Sequence, residues 1–210
     1  MGLTVRCYPN GPLGENTYLI SDDDTNKCAV VDPGYFGGDI VSEIGKSSGL
    51  EYLLLTHGHY DHFASCQDYL DAYPDAVLAA PAGDTELMYG CTDNKWFAGG
   101  GSRWICPEAS LLVREADIIR LGGTEIRIIE TPGHTAGSIT FCADGLAFTG
   151  DTLFRLSVGA SNYKTGSRDT LFRSVADKLY KLPDDTIVWP GHGPATTIAY
   201  EKASNPFIRG

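Results

Sequence analysis

Three histidines fall within six residues of this chain, in the segment Thr56-His57-Gly58-His59-Tyr60-Asp61-His62. They follow directly on the apolar run Leu53-Leu54-Leu55, which reads as a short buried strand. No other feature limits the fold as strongly. A single histidine beside a core is ordinarily a satisfied structural residue. Three of them with an aspartate, at the end of a buried strand, need a common partner. Imidazole suits Zn, Fe and related ions, and a carboxylate adds a hard oxygen ligand. Gly58 frees the backbone to fan His57 and His59 toward one point, and Asp61 and His62 toward a second one nearby.

The chain has five histidines, and the other two share this setting. His134 lies in Thr131-Pro132-Gly133-His134, after an apolar stretch at Glu125 to Ile129. His192 lies in Trp189-Pro190-Gly191-His192-Gly193, after Ile187 to Trp189. Asp151 follows Leu146 to Phe148 in Thr149-Gly150-Asp151. Each candidate ligand ends a strand, where a rigid scaffold holds the loop. Any one of these residues alone reads as an ordinary turn residue. Their joint recurrence does not.

The remaining pattern predicts strands in runs, with helices between and after them. Leu3, Val5 and Cys7 alternate, and Asn16 to Ile20 and Cys28 to Val31 follow as strands. Ile40, Val41 and Ile44 predict a helix, and Phe63, Cys66, Leu70 and Tyr73 predict another. Val77 to Ala79 is a short strand, and residues 83–110 read as a loop. In that loop Trp96, Phe97 and Trp104 either pin an irregular segment to the core or form a lid, the first reading being preferred. Hairpins are expected across Gly122-Gly123 and Asp144-Gly145. Later come a helix through Leu171, Val175 and Leu179, a strand at Ile187 to Trp189 and a helix from Thr196 to Ala203. This order predicts an α/β (α+β) fold, two mostly antiparallel or mixed sheets covered by helices in a four-layer αββα stack. Residues 1–210 are read as a single domain.

The formal net charge of −11 opposes phosphate backbones and argues against nucleic-acid binding. No apolar run reaches the ~18 residues of a membrane span, and the first ten residues lack the apolar core of a signal peptide. A cytoplasmic protein without membrane partners is expected. The six cysteines form no C-x-x-C pair and read as free thiols, a Cys91–Cys106 bridge being the less favoured alternative.

THGHYDH resembles the T-H-x-H-x-D-H motif of the metallo-β-lactamase superfamily. ETPGHTAGS, FTGDTLF and VWPGHGPATT are similar to its later metal motifs and stand in the same order. FTGDTLF and GHGPATTIAYEKASNPFI resemble most the short glyoxalase II-like branch, which lacks the C-terminal helical domain that helps hold glutathione. The resemblance implies one divalent ion held by His57, His59 and His134 and a second by Asp61, His62 and His192, with Asp151 bridging. It implies hydrolysis of a small-molecule thioester of the S-lactoylglutathione type by a hydroxide between the two ions, with Asp61 and Asp151 as the catalytic carboxylates. Zn is the first expectation for the metal, and Fe or Mn suit the same donors. Asp32, in Val31-Asp32-Pro33-Gly34, is either a plain turn residue or a support that accepts a hydrogen bond from a ligand's spare N–H. The loop after Asp151 departs from related sequences, with Ala160 where an arginine is common and Asn162 where an aspartate is. Asn162, Tyr163 and Lys164 are therefore candidate substrate contacts, although a solvated loop is the preferred reading of Tyr163 and Lys164. The rival activities of this fold are an iron-dependent persulfide dioxygenase, using His57, His134 and Asp151, and a lactonase.

Overall fold

Two six-stranded sheets stack face to face, and strand alternation decides which side chains each face receives. The computed structural model describes residues 2–10, 13–90 and 106–210. The first sheet contains β1 (Leu3–Asn10), β2 (Glu15–Asp22) and β3 (Cys28–Val31), then helix α1 (Gly38–Ile44) and β4 (Leu50–Leu54). Helices α2 (Tyr60–Phe63) and α3 (Cys66–Ala72) lead to β5 (Val77–Pro81), and α4 (Thr85–Gly90) precedes β6 (Leu111–Val113). The strands lie in chain order, antiparallel from β1 to β3 and parallel from β3 to β6.

The second sheet is built from β7 (Ile118–Leu121), β8 (Thr124–Glu130), β9 (Ile139–Ala143) and β10 (Leu146–Gly150). A small hairpin of β11 (Leu153–Phe154) and β12 (Ser157–Val158) follows, then α5 (Arg168–Arg173), β13 (Ile187–Pro190), β14 (Thr196–Thr197) and α6 (Ile198–Ser204). Its order is β14-β13-β10-β9-β8-β7, and only the β10–β13 junction is parallel.

Three apolar layers separate four layers of structure. Val30, Leu53 and Leu55 face Ile40, Ile44, Phe63 and Tyr69 of the first helical layer. Their sequence neighbours Val31 and Leu54 point the other way, with Ile20, to meet Ile126, Ile128, Phe141 and Phe148 between the sheets. On the far side Val188 packs with Val175, Leu179 and Ile198. Each such side chain contributes roughly 1.5–3 kcal/mol when fully buried, so alternation along β3 and β4 alone stitches three layers together. This is the expected αββα stack. No helix among the described residues is long and apolar enough to cross a membrane.

Four local expectations are corrected. The helix through Phe63 and Tyr73 is broken at Ala64 and Ser65, because the Ser65 N–H donates to Pro33 O at 3.0 Å rather than back along its own helix. Residues 83–110 are not all loop, since Leu87 and Met88 seat α4 on the core; residues 91–105, with Cys91, Trp96, Phe97 and Trp104, lie outside the described residues. The helix through Leu171 and Leu179 is regular only over α5, then widens to a π-helical turn at Ser174–Lys178 and tightens at Leu179–Lys181. The last helix begins at Ile198 rather than Thr196, because Thr196 and Thr197 pair with β13 and Thr197 then caps α6, its side chain accepting from the Tyr200 N–H at 3.2 Å.

Candidate metal centre

The C-terminal ends of β4, β10 and β13, with the loop after β8, meet at one edge of the sandwich. The Ile139 N–H of the second sheet donates to Thr56 O of the first at 2.9 Å, which ties the two strand ends together. The Pro190-Gly191-His192 turn must come close to let its histidine reach the others. A Cβ on Gly191 would sit 2.2 Å from Asp151 Oδ1 and 2.7 Å from His62 Cε1, so only glycine fits.

Seven side chains converge there. His57 Nε2 lies 3.1 Å from His59 Nδ1, which lies 2.8 Å from His134 Nε2. Asp61 Oδ2 lies 3.7 Å from His62 Nε2 and 3.5 Å from His192 Nε2. Asp151 stands between the two sets, with Oδ2 3.4 Å from His134 Nε2 and 3.5 Å from His192 Nε2, and Oδ1 3.5 Å from His62 Nε2. Ligand atoms of His57, His59 and His134, and those of Asp61, His62 and His192, each fall within 4.8 Å of one another.

The far side of each ring shows which nitrogen faces inward. His134 Nδ1 donates to Ala160 O at 2.6 Å, and His192 Nδ1 to Leu13 O at 3.1 Å; carbonyls only accept, so both Nε2 atoms present lone pairs. Asp32 anchors two more. Its φ of +49° turns the carboxylate back to accept from the Thr56 N–H and hydroxyl, both at 2.8 Å, and from His62 Nδ1 at 2.9 Å. With its proton given to Asp32, the Thr56 hydroxyl accepts from His57 Nδ1 at 3.0 Å. Asp32 is therefore no plain turn residue.

The charges divide the same way. Burial drives His57 well below the ordinary imidazole range, and it takes His59 to about 3 and His134 to about 4, leaving three neutral rings suited to ligation. Burial opposes charge on His62 as well, but Asp32, Asp61 and Asp151 outweigh it and raise that ring well above its usual value. Asp151 is raised by burial. Within the cluster, His62 Nε2 and Asp151 Oδ1 are buried with no hydrogen-bond partner. An unpaired buried polar atom costs about 1–3 kcal/mol, and a cation between these atoms would relieve both. The His/Asp cluster is able to bind metal.

Asn162 and Lys164 are exposed, as a solvated loop requires. Tyr163 is half-buried, and its ring packs edge-on against His59 and His134, with centroids 4.7 and 5.5 Å apart. Ala160 acts through its carbonyl, which no side-chain pattern reveals. Two buried carboxylates beside the cluster escape the sequence reading. Glu15 is 3% exposed, its backbone bridges to His192, and burial raises it well above the ordinary range. Asp84 is 2% exposed and receives donors from two ligand-bearing loops. Each is a lone acid in a turn-rich stretch, and only contacts distant in sequence mark it.

The profile of the metallo-beta-lactamase superfamily matches residues 10–192. The hydroxyacylglutathione hydrolase GloC of Haemophilus influenzae is 32% identical over 98% of each chain. Among solved structures, the BLEG-1 B3 metallo-beta-lactamase superimposes with a TM-score of 0.89 at 27% identity, covering 99% of this chain and 100% of the other. TTHA1623, solved in a di-iron-bound form, gives 0.83 at 31% identity, with 97% and 100% covered. The strand-end histidines, the four layers and the match along nearly the whole chain agree: this protein belongs to the metallo-β-lactamase superfamily and is a metal-dependent hydrolase.

Proposed function

We propose that this hydrolase works with two divalent ions, Zn in the first instance, on a small thioester of the S-lactoylglutathione type. The observation that carries the reading is the pair of converging donor sets with one carboxylate, Asp151, reaching both. The likeness to GloC along the whole chain supports the substrate class. His57, His59 and His134 would hold one ion, and Asp61, His62 and His192 the other. Bound there, the ions would supply Lewis acidity toward a carbonyl and a water acidified to neutral pH.

The chain's own residues prepare the rest. Asp32, Thr56, Ala160 and Leu13 hold four rings in one tautomer, so the donor atoms do not reorganise during the reaction. Asp61 keeps some access to solvent, and His62 and His192 overcome the effect of its burial to keep it ionised, so it is placed to accept a hydrogen bond from an attacking water whose proton passes to bulk solvent. The Tyr163 ring walls the His59–His134 side. In the reaction, water oxygen adds to the thioester carbonyl, the carbon–sulfur bond breaks, and the sulfur leaves as thiolate. A thiol pKa near 8–9 means that this departure needs little help from an acid.

The test uses protein loaded with Zn alone, under anaerobic conditions. It should hydrolyse S-lactoylglutathione or a similar small thioester, while the iron-loaded form should consume little oxygen with glutathione persulfide. A Zn form inert toward a broad thioester panel, beside an iron form that oxidises persulfide quickly, would replace the hydrolase reading with a dioxygenase.

A further inference from the structure

We infer that Asp84 is a positioning residue that clamps the two loops carrying His57, His59 and His134, and so sets the affinity of that donor set separately from the other. The inference rests on the metal reading above. Asp84 ends the short turn between β5 and α4 and ligates nothing itself. Its Oδ2 accepts from the Gly58 N–H at 2.9 Å, the amide between His57 and His59. The same oxygen accepts from the Thr135 hydroxyl at 2.6 Å, next to His134. Its Oδ1 accepts from the Gly137 N–H at 2.7 Å, three residues beyond His134. Thr135 Oγ1 also lies 2.7 Å from Ser138 Oγ, so that hydroxyl can accept from one neighbour while donating to the carboxylate.

Three donors thus aim at two oxygens, an arrangement that only a carboxylate satisfies. An asparagine offers one acceptor oxygen, and its amide N–H₂ would face either Gly137 N–H or Gly58 N–H, donor against donor. The loops are also dovetailed. A Cβ on Gly137 would lie 2.4 Å from Asp84 N, and one on Gly58 would lie 3.2 Å from Asp84 Cβ. Neither loop can shift to find another partner without opening this contact. Among the described residues no such clamp reaches Asp61, His62 or His192; His62 is held by Asp32 and His192 by the Leu13 carbonyl.

The experiment titrates cobalt(II) into metal-free wild-type protein, Asp84→Asn and Thr135→Val. The hyperfine-shifted ring N–H resonances are followed by proton NMR; those of His57 and His134 report one set, those of His62 and His192 the other. In Asp84→Asn the affinity of the His57/His59/His134 set should fall ten- to a hundredfold, the usual cost of losing a support behind a ligand. The Asp61/His62/His192 set should keep its wild-type affinity. Thr135→Val removes one of three donors and should act in the same direction by less. If both sets bind as in wild type, or both weaken together, the clamp is overturned. Should Asp84→Asn fail to fold, Thr135→Val decides by the same criterion. Wild-type protein that shifts none of these resonances overturns the metal assignment, and that failure is recognisable because it precedes any substitution.

Discussion

The two ends of the sandwich bury carboxylates in opposite ways. At the end away from the histidines, Asp22 closes β2 and is fully enclosed. It accepts from the Thr25 N–H at 2.8 Å, the Thr25 hydroxyl at 2.6 Å and, across the sheets, the Thr124 hydroxyl at 2.7 Å. Those bonds, with the Thr25 hydroxyl first, hold its pKa at about 2. At the other end Asp151 is raised instead, because burial dominates and its Oδ1 has no hydrogen-bond partner. The same residue type thus stabilises the fold in one place and stores an unmet demand for positive charge in the other. The difference lies in depth and in the neighbours: Asp22 feels little desolvation and is completed by hydroxyls and amides, whereas Asp151 lies deep among histidine nitrogens and other acids that do not complete it.

Changing Asp151 tests this contrast most severely. Asp151→Asn should cost at least about a hundredfold in thioesterase rate, as loss of a principal electrostatic group does. The metal-free protein should melt no lower than wild type, because the substitution removes a buried charge whose Oδ1 has no hydrogen-bond partner. A variant retaining most activity, or one with a clearly lower Tm, would break the comparison at its functional end.

The opposite end predicts the reverse outcome. Asp22→Ala strips the donors of Thr25 and Thr124 of their acceptor and should cost about 1–3 kcal/mol in denaturant unfolding, with metal affinity unchanged. The pH dependence has a definite sign. A folded pKa of about 2 against an ordinary 3.8 means that the ionised form favours the fold. The contribution is complete above the ordinary value and disappears as pH falls from there through about 2. The stability gap between wild type and Asp22→Ala should therefore narrow from pH 5 to pH 2. A gap that stays constant or widens would show that the charge is not what Asp22 contributes.

Lys164→Ala should have the smallest effect, since the residue is exposed and outside both carboxylate networks. Stability should change by less than about 0.5 kcal/mol, with rate changed by no more than a few-fold. A large rise in KM alone would instead mark Lys164 as a substrate contact and extend the site outward.

The layers and the converging residues were legible in the sequence for a simple reason. Each ligand candidate ends an apolar strand, and the Pro-Gly-His turns repeat that statement at His134 and His192. Asp32 was half legible, because its motif showed but the left-handed turn that aims it at Thr56 and His62 did not. Asp84 and Glu15 were invisible, since their partners lie 26 to 53 residues away for Asp84 and at His192 for Glu15. Short elements were also missed. The two-residue strands β11, β12 and β14 carry too little pattern for alternation to be read, and only pairing defines them. The break at Ser65 depends on Pro33 O, a carbonyl supplied by another part of the chain.

The order of the seven residues along the chain also governs how the centre comes together during synthesis. His57, His59 and His134 precede Asp151, while the set with Asp61 and His62 lacks its last member until residue 192, near the end of the described chain. Proteins are made from the N-terminus, so a nascent chain completes the all-histidine set 58 residues before the mixed one. Until His192 emerges, Asp61 and Asp151 lack one of the histidines that favour their charge, and His62 is the first of those left. A chain halted before His192 would hold the all-histidine set whole and the mixed set incomplete.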